Sequence, residues 1–280
     1  MTNITLLGRN GFIGSSIFNL LKNNLLIKAI DLPEFDLSSF DQNQFIDNYI
    51  NKKSNNIIVN CIGIMGANHS KINPTQYLKT NGIHIQRLIN IAQNYENIKI
   101  INLSSETIYG PQKNNFNPTE NSKLMPSHVY SISKYIAEEL LLLSDCNFLN
   151  LRIPIVIGKN PKEENPFTTF NNAYKSNTKA TIFGDGTHYR KFITLRRLSF
   201  LIKKILRDEY WHEVGTYNLP GTKFIINQIF ELYKKMSNKL DVNYLTDKTP
   251  YSLCSNHNKF ELTFGADPIE NFDSFFEELN

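Results

Sequence analysis

Tyr130-Ser131-Ile132-Ser133-Lys134 sets a phenol and an ammonium four residues apart. On an α-helix that spacing puts both on one face. An unperturbed tyrosine, pKa about 10, is only about 0.1% ionised at pH 7; a base at neutral pH needs a shift of up to ~3 units, or ~4 kcal/mol. One cation at ~4 Å supplies about that amount at an effective dielectric of ~20. The pair is therefore equipped to exchange a proton with a substrate oxygen. Spacing alone does not single it out, because Tyr49/Lys53, Tyr95/Lys99 and Tyr244/Lys248 match as well. Context does. Tyr130/Lys134 opens a helix after a fourth strand. It follows the serine-rich strand end Leu103-Ser104-Ser105-Glu106-Thr107-Ile108-Tyr109-Gly110, and ligands bind at carboxyl edges of this kind.

A second constellation lies at the N-terminal end, in Gly8-Arg9-Asn10-Gly11-Phe12-Ile13-Gly14. One glycine permits a tight turn, one lets a pyrophosphate approach the backbone, and one lets a helix pack on a strand. The helix start then offers unpaired N–H groups to phosphates. A strand before the loop and a helix after it complete the context that a dinucleotide site requires. Asp31, about twenty residues on, ends the second strand. A carboxylate there accepts hydrogen bonds from a ribose and repels a 2′-phosphate. Arg9 pulls the other way, so the reading leans to NAD and leaves NADP open.

The elements that must carry these groups follow from hydrophobic periodicity. Strands are expected at Ile4–Leu7, Leu25–Ile30, Ile57–Cys61, Ile98–Leu103 and Phe148–Ile157. Helices are expected at Phe12–Lys22, Asp41–Ile50, Pro74–Asn94 (one or two) and Tyr130–Leu143. Alternation of this kind implies right-handed crossovers and an α/β, doubly wound parallel sheet. Beyond Gly158 the pattern loosens. Phe167–Tyr174, Leu198–Leu206 and Ile225–Met236 read as helices, Ala180–Phe183 and Thr216–Leu219 as short strands. We expect a dinucleotide-binding domain over 1–157, with return elements at about 190–220, and a smaller, interleaved substrate lobe over 158–280.

Composition excludes several classes. The 280 residues carry 30 basic and 26 acidic side chains, a net +4, too small an excess to argue for nucleic acid. Basic residues cluster only at Arg190, Lys191, Arg196 and Arg197. No apolar run approaches the ~18 residues of a membrane helix, and the N-terminus shows no basic leader or cleavage site. Cys61, Cys146 and Cys254 are too scattered for a disulfide framework or a CxxC knuckle. The six histidines show no zinc spacing. We expect a cytoplasmic protein without a metal.

The loop spacing GxxGxxG and the YxxxK pair resemble the extended branch of the short-chain dehydrogenase/reductase superfamily, the NAD-dependent epimerase/dehydratase family of nucleotide sugars. The resemblance implies a Rossmann fold, NAD as cofactor and hydride transfer at the sugar C4. Tyr130 would exchange the proton. Lys134 would lower its pKa and hold the nicotinamide ribose. Ser105, aligned through Tyr109-Gly110, would orient the same oxygen, with Ser104 as the neighbouring alternative. Asp36-Leu37 resembles the pair beside the adenine. Asn60-Cys61-Ile62-Gly63 resembles the turn under the nicotinamide ribose, Asn81 the asparagine of the long helix, and Arg152-Ile153-Pro154 the strand at the carboxamide end. Glu106 and Thr107 fall on substrate-contacting positions. Phe183-Gly184-Asp185-Gly186-Thr187-His188-Tyr189-Arg190 resembles the segment whose arginine grips the diphosphate, here Arg190.

The departures are informative. Dehydratases of the family carry Thr-Asp-Glu where this chain has Ser105-Glu106-Thr107, and Thr107 cannot remove an α-proton. The GDP-fucose synthase type, which Gly63-Ile64-Met65-Gly66-Ala67-Asn68 resembles, has a cysteine at Thr107. The family's Arg-Asp-Phe segment reads Arg190-Lys191-Phe192-Ile193-Thr194-Leu195-Arg196-Arg197, with bases for acids, which removes the family's helix cap. The short second lobe favours a 4-keto reductase. A 4-epimerase that retains NAD is the alternative, and a non-catalytic dinucleotide-binding regulator a third reading. The resemblance also implies a homodimer through the long helix and the Tyr130 helix.

Overall fold

A computed structural model describes residues 2–23, 26–31, 41–65, 73–111, 117–159, 161, 164–237, 240–247 and 250–280. The chain runs β1 (Asn3–Leu7), α1 (Phe12–Leu21), β2 (Ile27–Ile30), α2 (Gln42–Tyr49), β3 (Asn56–Asn60) and α3 (Pro74–Tyr77). A π-helical stretch over Leu78–Ile83 passes into α4 (His84–Ala92). Then come β4 (Ile98–Ser105), α5 (Val129–Leu142), β5 (Asn147–Ile153), β6 (Ile155–Ile157), α6 (Pro166–Ser176), β7 (Lys179–Phe183) and β8 (Tyr189–Thr194). The remainder is α7 (Leu195–Ile205), β9 (Gly215–Asn218), β10 (Thr222–Ile225), α8 (Ile226–Met236), β11 (Asp241–Leu245), α9 (Asn258–Phe264) and α10 (Phe272–Leu279).

Among the described residues the main sheet has six strands in the order β2-β1-β3-β4-β5-β9. Every pairing in it is parallel, so the fold is the expected α/β, doubly wound sheet. Strand residues alternate between two apolar layers. Ile57, Val59, Ile101 and Leu103 face α1, α7 and α9. Ile58, Ile98 and Ile100 face α2, α4 and α5. Burial on both faces explains why these strands read as continuous apolar runs rather than alternating ones. A third core, built around Phe167, Phe192, Phe230 and Phe275, joins α6, β8, α8 and α10. Sheets β10-β8-β6 and β11-β7 lie over it.

The structure corrects the expected single strand Phe148–Ile157. It breaks at Pro154, so β5 stays in the main sheet while β6 pairs with β8. Proline lacks the N–H that a central ladder needs. The strand Ile98–Leu103 runs two residues further, to Ser105, inside the sheet. The long helix is continuous but carries the π-helical stretch, a feature frequent at functional sites. Strands β8, β10 and β11 and helices α9 and α10 had no clear sequence period. The missing family cap on α7 is replaced. Thr194 caps the helix by accepting from Arg197 N at 3.1 Å, and Glu270 takes the Thr194 N–H at 3.0 Å. Asp267 pairs with Arg197, and Glu278 accepts from Arg196 N. Acids from the C-terminal segment thus stand where local ones are absent. No helix among the described residues is long and apolar enough to cross a membrane.

Candidate active site

Strand β1 bonds β2 on one side and β3 on the other. The loops after β1 and β3 therefore part at a topological switch point, where open α/β sheets bind ligands. Gly8 has φ +84, and a Cβ there would lie 3.1 Å from the Cys61 carbonyl carbon. A Cβ on Gly14 would fall 2.0 Å from the Gly8 oxygen. Gly11 is the N-cap of α1 and brings no side chain to cap it. The helical ladder begins with Ser15 N on Gly11 O. The N–H groups of Phe12, Ile13 and Gly14 precede that ladder, and a diphosphate can bond them. Asp31 accepts the Asn10 N–H at 2.6 Å, which braces the loop, and Arg9 donates to Ala29 O at 3.3 Å. This cradle fits a dinucleotide. Asp36 and Leu37 lie outside the described residues.

The Cys61–Met65 segment is held from the long helix. Buried Asn81, within the π-helical stretch, accepts Ile64 N at 2.7 Å and donates to Ile64 O at 2.9 Å. It also donates to Ser133 Oγ on α5 at 3.0 Å. Gly82 lets α5 approach: a Cβ there would meet Ile136 Cγ2 and Ser133 O at 3.3 Å. Beneath the segment, Asn60, Asn102 and Asn150 form an amide ladder across β3, β4 and β5. Asn60 Oδ1 accepts Ile62 N at 3.3 Å. Asn81 thus reaches Ile62 and Gly63 only through the backbone it holds.

Helix α5 carries the phenol–lysine pair. His128 caps it, its Nδ1 accepting Ser131 N at 3.2 Å while Ser131 Oγ returns to His128 N. The capping box fixes the first turn, where Tyr130 lies parallel to the His128 ring at 6.1 Å. One turn on, Lys134 is 6% exposed and donates from Nζ to Leu103 O at 2.9 Å. Burial lowers its pKa to about 8, against the pull of the Glu138 carboxylate. Burial also pushes the Cys61 thiol up to about 12. That cysteine is neutral at working pH. A cleft of about 390 Å³ brings together Gly11, Phe12, Ile13, Cys61, Gly63, Tyr130, Lys134 and Pro154 with the strand end of β4. The competing pairs at Tyr49, Tyr95 and Tyr244 do not line it. Lys99 instead donates to the carbonyls of Tyr210 and Trp211.

At the strand end, Ser105 Oγ lies 3.0 Å from Thr107 Oγ1 and accepts Thr107 N, and both residues line the cleft. Ser104 is fully buried at the wall, and its hydroxyl has no partner among the described residues. Glu106 also lines the wall, but its Oε1 is engaged. It pairs with Lys191 Nζ at 2.6 Å and accepts from both Ser255 N and Ser255 Oγ. That oxygen is committed to the protein, while Glu106 remains part of the cleft lining. Arg190 also lines the cleft, its guanidinium 4.7 Å from the Tyr251 ring centre.

Sequence reading missed His128, Met65, Asn165, Tyr251 and Leu253, all on the cleft. A signal existed for His128, as the residue before an amphipathic helix whose N3 is Ser131. Tyr251 and Leu253 lie in an irregular segment that runs alongside β8, where Leu253 N bonds Tyr189 O and Ser252 Oγ accepts Tyr189 N. The basic group at Arg190–Arg197 is dispersed by folding: Arg190 faces the cleft, Lys191 is buried on Glu106, Arg196 lies over Phe200 and Arg197 pairs with Asp267. Arg152, at the carboxamide strand, is buried on Glu138 at 2.7 Å and donates to Tyr109 at 2.7 Å.

Comparison with known proteins agrees with this geometry. A dTDP-D-glucose 4,6-dehydratase of Dictyostelium discoideum is 24% identical over 235 residues, 77% of this chain and 52% of the relative. The chain thus spans about half the length of that relative. A Methanocaldococcus jannaschii protein provisionally named UDP-glucose 4-epimerase is 26% identical over 251 residues, covering 82% of this chain and 81% of that one. The crystal structure of UDP-glucuronic acid 4-epimerase from Bacillus cereus, in complex with UDP-glucuronic acid and NAD, superposes with a TM-score of 0.82. It is 19% identical, with 99% of this chain and 97% of that chain covered. Residues 4–219 match the NAD dependent epimerase/dehydratase family. With most of its length inside that match, and with the glycine loop, the Tyr130 helix and the β4 strand end all within it, the chain belongs to the NAD dependent epimerase/dehydratase family.

Proposed function

We propose that this protein is an NAD-dependent 4-epimerase of a nucleoside-diphosphate sugar. The observation that carries this reading is the company kept by Ser105, Tyr130 and Lys134. They share one cleft with the glycine loop, while the carboxylate beside them, Glu106, is bound to Lys191. A phenol, an ammonium and a hydroxyl suffice for proton exchange at a carbinol. Dehydration needs a further acid–base pair, and Thr107 offers only a hydroxyl.

When bound, NAD supplies the ring that accepts and returns a hydride. Gly8, Gly11, Gly14 and the start of α1 hold its diphosphate, and Asp31 favours the ribose of NAD over a 2′-phosphate. Tyr130 takes the C4 hydroxyl proton and gives it back. Lys134, with a pKa of about 8, keeps its charge in roughly nine molecules of ten at pH 7 and so favours the phenolate. Ser105 orients the C4 oxygen. Arg190, with a bidentate cation preorganised on Tyr251, suits the sugar's diphosphate.

The sequence favoured a 4-keto reductase because the second lobe is short. That argument loses its weight, since this chain covers 97% of a 4-epimerase chain. The test is incubation of purified protein with UDP-glucose, UDP-galactose, UDP-glucuronic acid and UDP-N-acetylglucosamine. The expected result is the C4 epimer of one of them with no net consumption of cofactor. Consumption of one NADH or NADPH per turnover of a 4-ketosugar would replace the epimerase with a reductase. No turnover of any of these would end both readings. We further propose a homodimer through the long helix and α5, on the strength of exposed Ile83 at the end of the π-helical stretch and exposed Ile132 on α5.

A further inference from the structure

Three pieces of chain with no sequence proximity meet at one buried ion pair. Glu106 follows Ser105 at the end of β4, Lys191 follows Arg190 in β8, and Ser255 lies in the irregular segment that carries Tyr251 and Leu253. The three are 3%, 1% and 0% exposed, so solvent cannot replace any of their contacts. Lys191 Nζ lies 2.6 Å from Glu106 Oε1, 2.9 Å from Leu219 O, 3.0 Å from Ser255 O and 2.8 Å from Ser255 Oγ, four oxygens sharing its three N–H groups. Glu106 Oε1 also takes the Ser255 N–H at 3.1 Å. Each charge thus contacts groups from the other two elements.

We propose that the Glu106–Lys191 pair, with Ser255, is a positioning pair that holds two parts of the cleft lining in register. On one side it holds the strand end that carries Ser105 into the cleft that Tyr130 also lines. On the other it holds Arg190 and the Tyr251 ring against its guanidinium. This deepens the epimerase reading and rests on it for the identity of the ligand, whereas the mechanical tie does not. Neither side chain has reason to be ionic for stability alone. Buried ion pairs are commonly matched by apolar or neutral groups of similar volume, whereas loss of one partner leaves an uncompensated charge. What a neutral replacement cannot reproduce is the fixed set of donors that lock three elements in register.

The test is the double variant Glu106→Gln/Lys191→Met, with both single variants beside it. The singles are expected to lose thermal stability, and the double to recover most of it. Three readouts separate positioning from mere stability. Hydrogen exchange by mass spectrometry should show residues 103–109 and 250–256 losing protection together by tenfold or more in the double variant, with 98–102 unchanged. UDP, titrated alone, should bind at least tenfold more weakly. KM should rise at least tenfold while kcat falls less, whereas a purely structural defect lowers kcat through the active fraction and leaves KM alone. Unchanged exchange over 250–256, or UDP affinity within twofold of the parent, overturns the proposal. The exchange result in the double variant, together with a parent protein that neither binds UDP nor turns over a UDP-sugar, keeps the tie and sinks the substrate reading instead.

Discussion

Lys134 should make the cofactor-free protein less stable than a variant that cannot catalyse. The side chain is 6% exposed, and burial brings its pKa from 10.5 to about 8. At 1.36 kcal/mol per unit, holding the ammonium folded costs about 3 kcal/mol. In the unfolded chain the lysine keeps its ordinary pKa, so between pH 8 and 10.5 the unfolded state binds more protons and stability rises with pH. Lys134→Met removes that cost but leaves Leu103 O, now bonded at 2.9 Å, without its donor, which returns about 1–2 kcal/mol. The variant should therefore be about 1–2 kcal/mol more stable at pH 7, a rise of about 2–6 °C in Tm for a chain of this size. That advantage should vanish by about pH 10. Urea denaturation of NAD-free parent and variant at half-unit steps from pH 7 to 10 measures it. NAD must be absent because ligand bound only to the folded state adds stability of its own. Taking the difference also cancels Lys99, which burial likewise lowers to about 8. A variant less stable than the parent at pH 7, with a gap that does not change up to pH 10, would refute the reasoning.

Tyr130→Phe should retain NAD binding and lose turnover by a factor of about 10² or more, the usual scale for a positioned acid–base group, read from initial rates with the epimer as product. Gly14→Ala puts a methyl 2.0 Å from the Gly8 oxygen; it should weaken NAD binding at least tenfold and destabilise by about 1–3 kcal/mol, seen by calorimetric titration and melting. Glu138→Gln breaks the buried pair with Arg152 and should cost about 3–5 kcal/mol, measurable by urea denaturation, with KM for substrate unchanged if the protein folds. Ile132→Glu should shift the particle mass in light scattering from two chains to one; an unchanged dimer would remove α5 from the interface.

Local information was enough for much of this protein. The β-branched runs from Ile57 and Ile98, the glycines at 8, 11 and 14 and the helical spacing of Tyr130 and Lys134 each depend on backbone sterics or on a repeat of 2 or 3.6 residues. These are legible without a partner, and the parallel sheet, the glycine loop and the Tyr130–Lys134 pair in the cleft follow from them. The order β10-β8-β6, the seat of Tyr251 on Arg190 and the bracing of the α7 cap residue Thr194 by Glu270 are different in kind. Each joins residues tens of positions apart, through single contacts that leave no period in the chain. Glu106 shows the difference most clearly. Its type and place read as a group for the substrate, and only folding brings Lys191 and Ser255, 85 and 149 residues away, onto its carboxylate. A charge is a chemical property that sequence reveals. Whether that charge is offered to a ligand or closed within the protein is decided by what the tertiary structure packs against it, because desolvation makes an unpaired buried carboxylate too costly to leave alone.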